Sequence, residues 1–172
     1  GAGNITITNA AGDLVLGTID ATGNAVTLTA VGAILDGNAG ANNITAGCAT
    51  LTAGGDIGSA ADPLEVSVTG VLALSAGGGI FLSQTGDLIL GTITSTAALS
   101  LSATGSIIDG NAGTLNITAP SATLTAGGAI GSVADPIESA IAAFSASAAS
   151  GGVFLTETAA ATLTLTSVVA GG

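Results

Sequence analysis

Lysine, arginine and histidine are all missing from this 172-residue chain, as are tryptophan, tyrosine and methionine. Without a cationic side chain the protein cannot neutralise phosphates, so nucleic acid is excluded as a partner by ordinary electrostatics. Anionic membrane surfaces are disfavoured for the same reason. No uninterrupted run of 18 apolar residues occurs, so no membrane insertion is expected. The single cysteine, Cys48, rules out a disulfide framework or a thiolate metal cluster within one chain. Standing alone, it is expected to be a small buried hydrophobe. The usual parts of a catalytic site are lacking too, since there is no ordinary nucleophile–base pair and no cation to clamp an oxyanion. A polysaccharide-active β-helix enzyme could in principle work with two acids, Asp13 with Asp20 or Asp56 with Asp62. Sugar sites, however, want aromatic platforms, and Phe81, Phe144 and Phe154 are the only aromatic residues. The expectation is that the chain is no enzyme.

What remains is aliphatic, small and acidic. Hydrophobic residues make up 48%, mean hydropathy is +0.80, glycines number 28, and 11 acids give a net charge of −11. That apolar content argues against disorder, and branched aliphatics with threonine suit pleated strands around a narrow interior. The chain opens at Gly1 with no signal peptide, as an internal fragment would.

An internal repeat organises the sequence. Thr50–Glu65 (TLTAGGDIGSAADPLE) returns at Thr123–Glu138, Ile34–Gly40 at Ile107–Gly113, and Gly78–Thr85 at Gly151–Thr158, always with the same offset in numbering, 73. Gly12–Ile19 returns at Gly86–Ile93 with an offset of 74, so one loop differs by a residue. A shorter period lies inside. Ile34, Ile57, Ile80, Ile107, Ile130 and Val153 each close a glycine-containing turn, at spacings of 23, 23, 27, 23 and 23. Three coils with spacings of 23, 23 and 27 make one 73-residue unit, giving super-repeats over about 7–79, 80–152 and a partial 153–172 in a single domain of 1–172.

Within each coil the apolar residues alternate, which is a strand signature. Val26 and Leu28, Ala49 and Leu51, Leu72 and Leu74, Leu99 and Leu101, and Ala122 and Leu124 should face inward. Asp36-Gly37-Asn38, Asp109-Gly110-Asn111, Asp62-Pro63 and Asp135-Pro136 supply corners. The Ala-rich stretch after Asp135-Pro136 also fits a helix start, but its counterpart at Asp62–Gly70 is strand-like. The fold class expected is all-β, a parallel β-solenoid of about 7 coils stacked at about 4.8 Å. The six closing aliphatics form its core ladder. Carboxylates equivalent from one super-repeat to the next would then lie three coils apart, about 14 Å, which is far enough for tolerable repulsion.

Three site readings follow. Calcium could take hard oxygen ligands from Asp36, Asn38, Asp109 and Asn111, although the same residues close turns with their own side chains, and otherwise no cofactor is expected. Outward Thr-x-Thr pairs could form an ice-binding face, interrupted by Ala73 and Ser75 and then by Ser100 and Ser102. Asn4, Asn43 and Asn116 begin glycosylation-type triplets, which arise easily in a threonine-rich strand repeat.

The pattern LTAGGDIGSAADPLEVSVTGVLALSAGGGIFLSQTGDLILGTI, at Leu51–Ile93, resembles the repeats of filamentous haemagglutinin-like large exoproteins, bacterial adhesins exported by two-partner secretion or autotransporter routes. The resemblance extends over essentially the whole chain. It implies a right-handed parallel β-helix in a filament projecting from the bacterial cell surface, hence a secreted protein. Neither that family's amino-terminal secretion domain nor a receptor-binding insertion is recognisable, so the segment reads as shaft rather than tip. Strand patterns at both ends imply partners in neighbouring coils of the same long chain or in end-to-end copies of a filament. No host or surface ligand can be named. The function expected is a structural spacer, with an ice- or cation-binding module as the alternative.

Overall fold

The computed structural model describes residues 3–159 and 162–172, and among these there is no helix. Fifteen strands follow one another: β1 (Ile5–Asn9), β2 (Leu14–Leu16), β3 (Ile19–Ala30), β4 (Ile34–Asp36), β5 (Ile44–Ala53), β6 (Leu64–Val68), β7 (Val71–Ala76) and β8 (Ile80–Gln84) in the first part. Then come β9 (Leu88–Ser95), β10 (Ala98–Ala103), β11 (Ile107–Asp109), β12 (Ile117–Ala126), β13 (Ile137–Ala148), β14 (Leu155–Glu157) and β15 (Thr164–Ala170). Pairings between strands are parallel, each strand lying over one from the preceding coil. The chain is an all-β, right-handed parallel β-helix of about seven coils. The Ala-rich segment after Pro136 is strand β13, not a helix.

Alternation fixes what is inside. Val26, Leu28, Leu51, Leu72, Leu74, Leu99, Leu101 and Leu124 are all buried in one continuous aliphatic core, together with the alanines at 49 and 122. Each fully buried leucine or isoleucine contributes roughly 1.5–3 kcal/mol relative to exposure. Gln84 enters this interior with its hydrogen bonds made. Gln84 gives its amide to the carbonyls of Val68, Thr85 and Asp87 and accepts from Val68 N–H.

Register corrects one part of the sequence reading. Ile34, Ile57 and Ile80 stack directly, and so do Ile107, Ile130 and Val153, but the two trios do not form one ladder. Ile80 is covered by Leu99, while Ile107 lies on Leu88. The long step from Ile80 to Ile107 is therefore not a coil. It is a short passage from Ile80 to Leu88 along the strand path, followed by one compact coil from Leu88 to Ile107. All of these positions except Val153 are fully buried, and Val153 packs partly buried against the core.

The super-repeat is consequently not a whole number of coils. From Leu51 a single column runs through Leu74 and Ile93 to Ile117, and three coils are complete at that point. Its sequence equivalent Leu124 lies seven residues beyond Ile117, in the column of Leu64, Leu82 and Leu101. Equivalent residues of successive repeats thus occupy different faces of the rod. The one-residue difference in offset has a place as well. The coil from Leu14 to Ile34 is longer by a single residue than its counterpart from Leu88 to Ile107.

Candidate functional site

Chemistry-bearing side chains gather at two loops, 36–43 and 109–116, where the same Asp-Gly-Asn-Ala-Gly sequence leaves a strand. In the first, Asp36 Oδ1 accepts the N–H of Asn38 at 2.8 Å, and Oδ2 accepts that of Ala39 at 2.9 Å. These bonds hold Ala39 in a left-handed conformation at φ 51° beside Gly40 at φ 78°. Such geometry is costly for alanine unless the surrounding bonds enforce it. The second loop repeats the design, with Asn111 N–H on Asp109 Oδ1 at 2.8 Å and Ala112 at φ 48°.

A buried asparagine completes each loop. Asn43, fully buried, points its amide at Asp36 Oδ1 (2.5 Å), Asn38 Oδ1 (3.1 Å) and the carbonyls of Leu16 and Gly17 in the coil below. Its own oxygen accepts Glu65 N–H from the coil above at 2.9 Å. Asn116 does the same between Asp109 Oδ1 (2.6 Å), Asn111 Oδ1 (2.9 Å), Leu90 O and Glu138 N–H. The four side chains that could have supplied calcium ligands are thereby shared out. Asp36 and Asn38 converge on the Asn43 amide, and Asp109 and Asn111 on the Asn116 amide. Among the described residues, no three acidic, cysteine or histidine side chains are grouped so as to hold a metal ion.

Burial also decides the glycosylation-type triplets. Asn43 and Asn116 are interior structural residues, while Asn4 is exposed and accepts Ala25 N–H. Sequence reasoning read these asparagines only as parts of triplets and missed their role. Their position seven residues after an Asp, in both repeats, was the available signal.

The loops bring carboxylates closer than the sequence spacing implied. The expected separation applied to equivalents in successive super-repeats, but acids of adjacent coils meet instead. Burial, then the negative charges of Asp36 and Asp62, raise the Glu65 carboxyl above its ordinary value. In the second repeat burial raises Asp135, and Asp109 beside it adds to the rise. The hydrogen bond from Asn43 holds Asp36 below the usual carboxylate range. Burial works to raise Asp109, but the Asn116 amide and the Asn111 N–H outweigh it and leave that group lowered.

Three of the four acids proposed for a hydrolase, Asp13, Asp20 and Asp56, have other work, and Asp87, which was not among the four, shares the role of Asp13 and Asp56. Asp13, Asp56 and Asp87 accept the N–H of Ala33 (2.8 Å), Gly79 (2.7 Å) and Ser106 (2.8 Å), each from the next coil. A Cβ on Gly32, Gly78 or Gly105 would run into those carboxylates, which explains why glycine stands there. Asp20 caps its own turn through Thr22 and is lowered by that bond. Cys48, expected inside, lies exposed on β5.

Hydroxyls line the outside. Thr8, Thr29, Thr52, Ser75, Thr94 and Thr118 form one file along a face. Thr6, Thr27, Thr50 and Ala73 form a second beside it. Ser100 and Ser102, which the sequence reading placed next, lie on another face with Thr123 and Thr125. Compared with family models, curated proteins and solved structures, the chain shows no match.

Proposed function

We propose that the chain is a structural shaft segment of a bacterial cell-surface or extracellular fibre, a stiff secreted spacer rather than a catalyst. The observation that carries this reading is the unbroken parallel stacking from β1 through β14, with every coil bonded to its neighbours by backbone ladders. Such a ladder resists extension and bending along the rod, because any local opening exposes aliphatic core and unpaired backbone groups together. An acidic surface without cations limits lateral adhesion between rods. Partners on this reading are further coils of the same chain or copies stacked end to end, since among the described residues β1 pairs only with β3 and β15 only with β13. The repeats quoted above from Leu51 to Ile93, similar to those of large exoproteins, support the same role. Electron microscopy of the native assembly tests it. Rods of constant width are expected, whereas compact separate particles would overturn it.

One observation favours a second reading, an ice-binding face. The register places Thr94, not Ser102, after Ser75, and Thr92 shares a shallow depression with Ala73 and Thr50. The hydroxyl array on that face is thus more regular than the linear sequence implies, at a coil spacing of about 4.8 Å. Thermal hysteresis and ice-crystal shaping by the purified chain would support this reading; growth of unshaped ice would remove it.

A further inference from the structure

The outward face of β1, β3, β5, β7 and β9 carries a grid of side chains whose regularity changes along the rod. In the first three coils every grid position is threonine: Thr6 and Thr8 stack with Thr27 and Thr29, and these with Thr50 and Thr52. In the next coil the same positions hold Ala73 and Ser75. Beyond it, the register shift between β7 and β9 sets both Gly91 and Thr92 against Ala73, so Thr92 leaves its file while Thr94 keeps to its own. The small side chain at 73 leaves a hollow. The shallow depression on this face has Ala73 in its lining, with Thr50, Thr52, Ser75, Thr92 and Thr94 around it.

The fold itself does not use these hydroxyls. Among the described residues, those of Thr6, Thr8, Thr27, Thr29, Thr50 and Thr52 make no hydrogen bond to the chain, whereas the corner threonines Thr96 and Thr104 do. Each free hydroxyl offers one donor and two acceptor lone pairs to whatever lies outside. The grid repeats at about 4.8 Å along the rod and about 6.6 Å along each strand. None of its positions is charged, so an uncharged partner meets no carboxylate that must be desolvated. None is enclosed either, so a single small molecule would touch only a few hydroxyls. A periodic solid touches all of them, and many weak contacts then act as one. Threonine serves this better than serine, because its branched Cβ restricts χ1 and leaves less rotamer freedom to lose. We propose that the ice-contacting surface of this chain is the complete patch of Thr6, Thr8, Thr27, Thr29, Thr50 and Thr52, and that Ala73 is the residue that ends it. This rests on the ice-binding reading above and narrows it to one part of one face. The hydroxyl face of β10, β12 and β13 takes no part. There Thr123 and Thr125 lie between Ser100 and Ser102 on one side and Ser145 and Ser147 on the other, so threonine is flanked by serine.

The test is thermal hysteresis of the 172-residue chain and three variants, each first shown by circular dichroism to keep the parent's strand signal and melting. Thr29→Tyr places a bulky ring in the centre of the patch, between Thr8 and Thr52, and should remove most of the hysteresis. Thr123→Tyr, on the other face, should leave it at the parent's level. Ala73→Thr fills the depression and carries the second threonine file one coil further, so it should raise the hysteresis. A gain of this kind cannot come from misfolding, which keeps the proposal open to refutation if Thr29→Tyr fails to fold. Hysteresis that survives Thr29→Tyr, that is lost in Thr123→Tyr, or that Ala73→Thr leaves unchanged or lowers overturns the proposal while the ice-binding reading stands. Absence of hysteresis in both the parent and Ala73→Thr overturns the proposal and that reading together.

Discussion

The loops at 36–43 and 109–116 share five consecutive residues and the same buried asparagine, yet their environments differ. The first sits above β2, and Asn43 reaches two carbonyls of that strand's end, Leu16 and Gly17. The second sits above β9, and Asn116 reaches one, Leu90. Asp36 has both oxygens bonded; Asp109 has Oδ1 bonded and Oδ2 buried without a hydrogen-bond partner. Because each repeat unit is three coils plus seven residues, each copy of the loop is set on a different face and meets different neighbours. A repeat out of step with its own coil turns one sequence into two local environments.

The core makes that difference largest. Leu51 is stacked between Leu28 and Leu74, whereas its equivalent Leu124 is stacked between Leu101 and Ala146. Leu51→Ala and Leu124→Ala should each cost about 2–5 kcal/mol, with Leu51→Ala the costlier because it loses two leucine contacts rather than one. Urea unfolding measures both; the reverse order would break the comparison.

Removing the bridging asparagines comes next. Asn43→Ala removes the bonds to Asp36, Asn38 and two carbonyls and takes its acceptor from the Glu65 N–H, although Leu16 O keeps the Gly37 N–H and Asp36 Oδ1 keeps the Asn38 N–H; Asn116→Ala removes one carbonyl bond fewer. Unsatisfied buried groups cost about 1–3 kcal/mol each when no water reaches them. The expectation is a lower melting temperature for both variants, lower for Asn43→Ala. Melting unchanged in either would contradict the structural role of these amides.

A smaller effect is expected from pH. Asp36 and Asp109 are lowered in the folded state. Their stabilisation is complete above the unfolded carboxylate value of about 4 and is lost as pH falls through their folded values. Glu65 and Asp135 are raised. Their contribution has the opposite sign: it is present below the unfolded values of about 4 and is lost as pH rises through the folded values. The urea midpoint should therefore rise modestly on acidification from neutrality toward about pH 5, then fall below about pH 4. A steady decline from neutrality downward would contradict the pairing of acids across adjacent coils.

Much of this architecture was legible in the residues. Alternation marked the buried leucines, and the recurrence of glycine with a closing aliphatic marked the corners, because a pleated strand and a tight turn each impose a local rule. The step from Ile80 to Ile107 was misread for a physical reason. Nothing in the stretch from Gly77 to Ile107 separates a coil from a coil plus one short strand, and only the strand pairing decides that Leu99 covers Ile80. The loop acids were visible as turn formers, but the amide meeting them comes from seven residues downstream and is buried by neighbouring coils. The exposure of Cys48 was equally hidden: it occupies an outward position in β5, next to Gly47, where the register with β3 shifts.

The stacking register itself can be measured by cysteine pairs in a Cys48→Ser background. Stacked outward positions bring Cα atoms to about 4.8 Å, within the range a disulfide spans. Ser75→Cys with Thr94→Cys should cross-link readily under mild oxidation, as should Ser83→Cys with Ser102→Cys, because these residues are paired partners. Ser75→Cys with Ser102→Cys should stay reduced. Cross-linking of the 75–102 pair in place of 75–94 would restore a single long coil from Ile80 to Ile107 and contradict the account.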